Sequence, residues 1–348
     1  MKKLAALLAV SAILLTGCGN SGGNTGGTDG SSSAEQSSEK SDDKPSKSGK
    51  SKIALDEETG VLTLSGSITV EEVQAYADDS RVKSVVCKDG TVFPEDCQEL
   101  FYNFKAESID ISNADTSNVV NMCYMFAQNT KLKTVNVSGI DTSNAEKMSY
   151  MFYYCTALES LDITGFNMER VYDASGMFDS CKSLPELDLS NFHCTEATYI
   201  GGLFERCEKL TSLDLSAMDF SEVVNMSDMF SGCSNLKKIN FGDSVGSKVG
   251  IMTGVFDECY ALEEVDLRNF DVSQVSLMTS MFEDCRNLKT ILVSPDWDAS
   301  YAHGSSNVFR GCENLVGGNG TAYDPQHVDV DYAQIDTPDT PGYLTAAE

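Results

Sequence analysis

A phenylalanine that returns at a fixed spacing is the feature that most constrains this chain of 348 residues. The interval is 26 residues, apart from one of 27 at the end. Three residues after almost every such phenylalanine stands a cysteine, and a leucine follows three residues later. A unit of this length cannot bury its own apolar face, whereas stacked copies share a continuous core, so the spacing predicts a repeat solenoid. The recurring phenylalanines are Phe126, Phe152, Phe178, Phe204, Phe230, Phe256, Phe282 and Phe309.

Each repeat contains a short alternating segment after its leucine, as in Leu213-Asp-Leu215, which predicts a strand with one buried and one exposed face. A turn of Asp, Thr, Ser and Asn follows, and these residues are good helix N-caps. Apolar residues then recur at spacings of three and four, from Met226 to Cys233, which predicts a short helix. We therefore predict an α/β solenoid. It is a leucine-rich-repeat-like right-handed coil of 26-residue repeats, with one parallel strand and one short helix per turn.

The repeat resembles the BspA-type leucine-rich repeats, which occur in bacterial surface proteins and mycoplasma-type lipoproteins. The pattern Met-x-x-Met-Phe-x-x-Cys-x-x-Leu carries this resemblance and is clearest over residues 226–236 and 270–292. Residues 309–323 and 341–345 are similar to the C-terminal cap of that family. The resemblance implies a leucine-rich-repeat fold and adhesion to host or microbial surface molecules. One departure is the connection over residues 243–249, which lacks the usual Asp-x-Ser turn.

The first residues have the pattern of a secretory signal. Lys2 and Lys3 precede an apolar run over residues 4–16, which is too short to span a bilayer, and Gly17-Cys18 follows. This ending resembles the lipobox of bacterial lipoproteins. The resemblance implies cleavage before Cys18, acylation of its thiol with palmitate-type chains, and a lipid anchor at the extracytoplasmic face of the bacterial cell membrane. An ordinary signal peptide with a chance cysteine is the alternative.

The same patterns predict five segments. They are a signal peptide over residues 1–17, a disordered Gly/Ser-rich tether over 18–51, an N-terminal capping region over 52–105, the solenoid over 106–315, and a C-terminal cap and tail over 316–348.

The N-terminal capping region has its own predicted elements. Thr69 and Glu72 form a capping box that predicts the start of a helix. Strands are predicted over residues 61–64 and 82–87, and a second short helix over residues 93–104. Such a segment is expected because the end of a solenoid core needs a cover.

The recurring cysteines are predicted to form a structural core ladder. Zinc sites use closely spaced cysteine pairs or nearby histidines, whereas these cysteines lie 26 or 27 residues apart and the chain has three histidines. Stacked turns bring their Cα atoms close, but the Cβ vectors run side by side, which disfavours disulfides. We therefore predict buried free thiols, no metal site and no cofactor. The ladder comprises Cys155, Cys181, Cys207, Cys233, Cys259, Cys285 and Cys312, with Asn129 in the first repeat.

Four cysteines lie off this ladder: Cys87, Cys97, Cys123 and Cys194. The sequence leaves a disulfide among the first three as an alternative, because disulfides persist in exported proteins and this chain is predicted to be exported.

The polar middle position of each predicted strand forms the candidate binding face. Carboxylates stacked at strand spacing repel one another by about 1 kcal/mol per pair in water, so they require solvent, counterions or a basic partner. A solvated face without a ligand, docking of a basic or hydrogen-bonding partner, and calcium binding along the row or at residues 324–331 are the three alternatives. The face comprises Asp110, Asn136, Asp162, Asp188, Asp214, Asn240 and Asp266.

The expected function is binding. The chain has none of the common hydrolase motifs and no glycine-rich phosphate loop, so we predict no enzyme and no catalytic residues. A formal net charge of −28 argues against a nucleic-acid partner. We predict a monomeric cell-surface lipoprotein, held to the membrane through the lipid on Cys18, that binds a surface protein or glycan. The alternatives are a non-binding spacer of the cell envelope and a ligand-capturing lipoprotein.

Overall fold

Stacked turns of the chain, about nine in number with a spacing of about 26 residues, form the fold, so the predicted solenoid is confirmed. The computed structural model describes residues 49–347. Within them the α-helical residues are confined to α1 (Val70–Gln74), and 3₁₀ turns cover Ser300–Ala302 and Val330–Tyr332. The strands are β1 (Lys52–Asp56), β2 (Val61–Ser67), β3 (Ser84–Val92), β4 (Ser108–Asp110), β5 (Ala114–Asp115), β6 (Thr134–Asn136), β7 (Ser212–Asp214), β8 (Lys238–Asn240), β9 (Glu264–Leu267), β10 (Thr290–Val293) and β11 (Thr345–Ala346).

Short strands from successive turns pair side by side along one face. Among the strands of residues 49–347, β1 and β2 form the one antiparallel pair, and the other pairs are parallel. The first sheet has the order β1-β2-β3-β4-β6 with β5 also on β3, the second contains β7 and β8, and the third has the order β9-β10-β11. The predicted strands at residues 161–163 and 187–189 do not form. Pro185 explains part of this gap, because the equivalent Glu159 donates its N–H to Lys133 O at 3.0 Å and proline has no such donor.

The predicted short helix of each turn is wrong. Asp228 and Gly232 have φ values of 56° and 73°, and a residue in the left-handed region interrupts a right-handed helix. Alternate N–H groups also bond to the next turn of the solenoid instead of to the residue four positions back; Phe230 N, for example, donates to Val255 O at 2.9 Å. Two consecutive tight turns replace the helix, shown by Cys233 N donating to Phe230 O at 3.0 Å. Such turns place apolar residues at the same spacings of three and four as a helix does.

The recurring phenylalanines stack in the core. Rings on neighbouring turns are nearly parallel, as for Phe178 and Phe204, whose centroids lie 5.7 Å apart with an interplanar angle of 8°. The stack runs without a break from Phe101 to Phe309. At its C-terminal end the buried ring of Tyr343 packs edge-on against Phe309, at 5.2 Å between centroids. The stack therefore ties every turn to its neighbours and ends under an aromatic cover.

The N-terminal region differs in part from its prediction. The capping box is present, because Glu72 N donates to Thr69 Oγ1 at 3.3 Å and Thr69 N donates to Glu72 Oε2 at 3.1 Å. The predicted helix over residues 93–104 is wrong. Glu99 and Asn103 have φ values of 61° and 57°, and this segment has the same double turn as the later repeats. The solenoid pattern thus extends to Phe101. Among residues 49–347, no helix has the length and apolar character needed to cross a bilayer.

Candidate binding face

The predicted face is one row of side chains along the strand side of the solenoid. Paired strands put Asp110 beside Asn136 and Asp214 beside Asn240 on adjacent turns. Asp110 and Asp266 are half-buried, and the remaining members are exposed. The exposed members are Asn136, Asp162, Asp188, Asp214 and Asn240.

A local hydrogen-bond motif orients each member of the row. Oδ1 of Asp162 accepts the N–H of Thr164 at 3.0 Å and its hydroxyl at 2.7 Å. For the other members, the backbone N–H of the residue two positions on donates to Oδ1 in the same way, because an Asp or Asn in a turn bonds its own backbone. The corresponding N–H donors are Ser112, Ser138, Ser190, Ser216, Gly242 and Arg268.

These hydrogen bonds favour the ionised form of three Asp side chains of the row. The hydroxyl and N–H of Thr164 hold the pKa of Asp162 below its usual range. Ser190 lowers the pKa of Asp188, although the charge of Asp162 opposes it, and Ser216 lowers the pKa of Asp214. Acidic groups with lowered pKa values are ionised throughout the neutral range, so three adjacent turns present carboxylates.

The charge is compensated at one end of the row. Arg268 pairs with Asp266 at 2.9 Å, and Asn240 Nδ2 donates to Asp214 Oδ1 at 3.0 Å. No ion pair within residues 49–347 involves Asp162, Asp188 or Asp214. We call these three residues the acidic strip.

The cysteine ladder lies in the core, away from this face. Cys233 is fully buried, and its Sγ donates to Phe204 O on the preceding turn at 3.0 Å. Burial raises the pKa of Cys233 to about 12, so the thiol stays protonated. Asn129 plays the same part in the first repeat, where its Nδ2 donates to Phe101 O at 2.8 Å. All the other ladder cysteines are buried and make the same contact with a phenylalanine carbonyl.

The off-ladder cysteines Cys87, Cys97, Cys123 and Cys194 are also free and buried, so the structure contains no disulfide among them. No cluster of three or more His, Cys, Asp or Glu side chains suited to a metal ion occurs within the described range 49–347.

A second acidic group was missed by sequence reasoning. It comprises Asp179, Glu205, Asp228 and Asp257 on the turn side of the solenoid, and we call these residues the turn-face carboxylates. Burial raises the pKa of Asp228 to about 6, with Arg206 opposing, and burial with nearby acidic charges raises the pKa of Asp257 to about 7. Burial also raises the pKa values of Asp179 and Glu205. The sequence did contain a sign of this group, because three of the four residues directly follow a recurring phenylalanine.

Several solved bacterial leucine-rich repeat proteins are similar to the chain. A leucine rich repeat protein from T. pallidum is 18% identical, with 61% of this chain and 87% of that chain covered and a TM-score of 0.37. A leucine-rich repeat protein from Bacteroides ovatus is 20% identical, with 70% of this chain and 67% of that chain covered and a TM-score of 0.33. A leucine rich cell surface protein from Faecalibacterium prausnitzii is 15% identical, with 77% and 92% covered and a TM-score of 0.28. No curated protein matches the chain.

The family comparison covers most of the repeats. The model of the family described as "Mycoplasma protein of unknown function, DUF285" matches residues 95–214 and 198–323. Its first match begins just before Phe101, where the phenylalanine stack also begins. The match confirms the family resemblance predicted from the repeat pattern. The chain belongs to this family of proteins of unknown function.

Proposed function

We propose that this protein is a non-catalytic binding module that presents the acidic strip to a basic partner, with adhesion at the bacterial cell surface as its role. The observation that carries the proposal is the set of exposed, ionised carboxylates of Asp162, Asp188 and Asp214 on three successive turns, which form no ion pair within residues 49–347. Carboxylates on adjacent turns of the strip repel one another, since the charge of Asp162 acts to raise the pKa of Asp188. A partner that carries positive charge relieves this repulsion and adds its own contacts.

The repeat geometry supports extended recognition. Each carboxylate is held by its own turn, so a partner that follows the solenoid meets the same group at regular intervals. Concave or flat repeat surfaces are used in this way by solenoids generally. The hydroxyl groups that follow in sequence, on Thr164, Ser190 and Ser216, give the strip polar neighbours.

The anchor is a separate part of the proposal. We propose that a lipid on Cys18 holds the protein at the extracytoplasmic face of the membrane; the support is the sequence of residues 1–18, which lie outside the described residues. Metabolic labelling with a palmitate analogue should mark the wild-type protein and not Cys18→Ser. Equal labelling of both would contradict the lipid anchor.

The binding proposal is tested with an array of matrix proteins and glycans, probed at a low and a physiological salt concentration. The test variant D162N/D188N/D214N removes three charges and keeps an amide oxygen for each local hydrogen bond. The control variant E58Q/E196Q/E313Q removes three exposed charges that make no side-chain hydrogen bond within residues 49–347. We expect hits on basic proteins that weaken with salt, survive in the control and are lost in the test variant.

Two outcomes would oppose this function. Hits that persist in D162N/D188N/D214N would show that binding occurs at a surface other than the acidic strip. An absence of hits at both salt concentrations would favour the spacer, in which the solenoid has a mechanical role only.

A further inference from the structure

A cavity of about 460 Å³ opens where the repeat is irregular. It spans three successive turns near the C-terminal end, and its lining includes no residue of the acidic strip. Its volume is within the usual range for small-molecule sites. The side chains that matter here are Val245, Arg268, Asp271, Ser294, Asp296 and Trp297.

The cavity exists because two apolar residues replace a recurring polar one. Asp219 and Asp271 occupy equivalent positions, and Oδ1 of each accepts the N–H two residues on at 2.9 Å. One repeat after Asp219 the same position is Val245, which is 52% exposed, and one repeat after Asp271 it is Trp297. The carboxylate of Asp271 is therefore bracketed by two apolar side chains, an arrangement that the regular turns lack.

The irregular connection also changes the floor of the cavity. Ser244 and Gly246 stand where the preceding turn has the buried Met218 and Phe220. The ring of Phe270 fills the vacated space, since a Cβ on Gly246 would lie 2.6 Å from it. The floor is thus a buried aromatic ring, and Val245 lies exposed beside it.

The C-terminal cap holds the indole of Trp297 in place. Its Nε1 donates to Ala333 O at 3.0 Å, and its backbone N–H donates to Ser294 O at 3.0 Å. The ring is half-buried, so one part packs on the core and another lines the cavity. A wall fixed before the ligand arrives reduces the entropy lost on binding.

The polar groups of the wall include both donors and acceptors. Nε and Nη2 of Arg268 are committed to Asp266 at 2.9 Å each, which offsets its charge and leaves other N–H groups for a ligand. Asp271 and Asp296 contribute carboxylate oxygens, and these two negative charges disfavour an anionic ligand. Hydroxyl groups both donate and accept, whereas an ammonium group only donates. A polyhydroxyl ligand can therefore use the donors and the acceptors of the wall together, whereas a simple cation cannot accept from Arg268.

We propose that this cavity is a binding site for a neutral saccharide unit. The apolar C–H face of a pyranose ring packs on Trp297 and against Val245, and its hydroxyls donate to Asp271 and Asp296 and accept from Arg268. This inference goes beyond the binding of a basic partner at the acidic strip and does not depend on it.

Trp297 reports directly on the site, because it is the only tryptophan in the chain. The protein is titrated with methyl glycosides of glucose, galactose, mannose and N-acetylglucosamine, and with cellobiose, lactose and chitobiose. Tryptophan fluorescence is followed during each titration. Lysine amide and arginine amide serve as cationic probes. We expect a saturable change with at least one saccharide, and none with the cationic amides.

Two variants change the wall while keeping the fold. Val245→Asp restores the residue type of the regular turns, and Asp271→Asn keeps an amide oxygen for the N–H of Ser273. Each should weaken saccharide binding by about tenfold or more. Val224→Asp is the matched control, since Val224 is another exposed valine and does not line the cavity. Circular dichroism is used to check that all three variants fold as the wild type does.

Three results would overturn the proposal: no saccharide of the panel changes the fluorescence at millimolar concentration, only the cationic amides do, or both wall variants bind as the wild type does.

Discussion

The turn-face carboxylates predict that this protein loses stability as the pH rises, and Asp228→Asn isolates one of them. Burial raises the pKa of Asp228 from 3.8 to about 6. A carboxyl group with a raised folded-state pKa stabilises the fold as the neutral acid. Its contribution to the free energy of unfolding is fully present below about pH 4 and is lost as the pH rises through about 6. Asp257, with a pKa raised to about 7, acts in the same direction.

The magnitude follows from the difference between the two pKa values. A rise from 3.8 to about 6 corresponds to about 3 kcal/mol of preference for the neutral acid in the folded state. Asp228→Asn removes this term and leaves an amide of the same shape. The backbone should accept the change, because Asp228 has a φ of 56° and asparagine tolerates the left-handed region well. The variant should therefore match the wild type near about pH 4 and exceed it by up to about 3 kcal/mol near about pH 8.

Urea denaturation over a pH series, followed by circular dichroism, measures this difference. Asp162→Asn is the matched control, because the pKa of Asp162 is lowered by Thr164 and its loss should not raise stability at high pH. Equal free energies of unfolding for Asp228→Asn and the wild type near about pH 8 would contradict this prediction, as would a gain in wild-type stability between about pH 5 and about pH 8.

Two further predictions concern the ladder in the core. Cys233→Ser should lower the free energy of unfolding by about 1–2 kcal/mol, because a smaller and more polar group replaces a fully buried thiol, while binding at the acidic strip is unchanged. A variant as stable as the wild type in urea denaturation would contradict this. Asn129→Cys should raise stability by about 1 kcal/mol, because Asn129 Oδ1 is buried with no partner among the described residues and cysteine keeps the donor toward Phe101 O. A loss of stability in the same assay would show that the amide contributes more than its unpaired oxygen costs.

The 26-residue period was enough to predict the solenoid, because spacing alone shows which residues stack. It could not predict the conformation within a turn, since apolar residues at spacings of three and four fit both a helix and consecutive tight turns. The deciding residues lie in the left-handed region and are not only glycines. Tyr150 and Tyr154, for example, have φ values of 58° and 59°. Tyrosine carries no signal for that conformation, so only the bonds between turns reveal it.

The candidate sites divide along a similar line. The acidic strip was predictable, because strand alternation places Asp162 and its equivalents on the outer face. The turn-face carboxylates were not, because the helix assumed there gave no reason to bring Asp179 and Asp228 near one another. The saccharide cavity depends on Val245 and Trp297 interrupting a polar column, and this column is visible only once the register of the turns is known.

Hydrogen exchange with and without an array-selected basic partner tests the central claim most directly. Binding at the acidic strip should slow amide exchange at residues 160–164, 186–190 and 212–216 on the strand side, and leave the turn-side residues around Phe178 and Phe204 unchanged. The same partner should give no protection in D162N/D188N/D214N. Protection confined to the turn side, or protection of equal size in that variant, would contradict the assignment of function to the acidic strip.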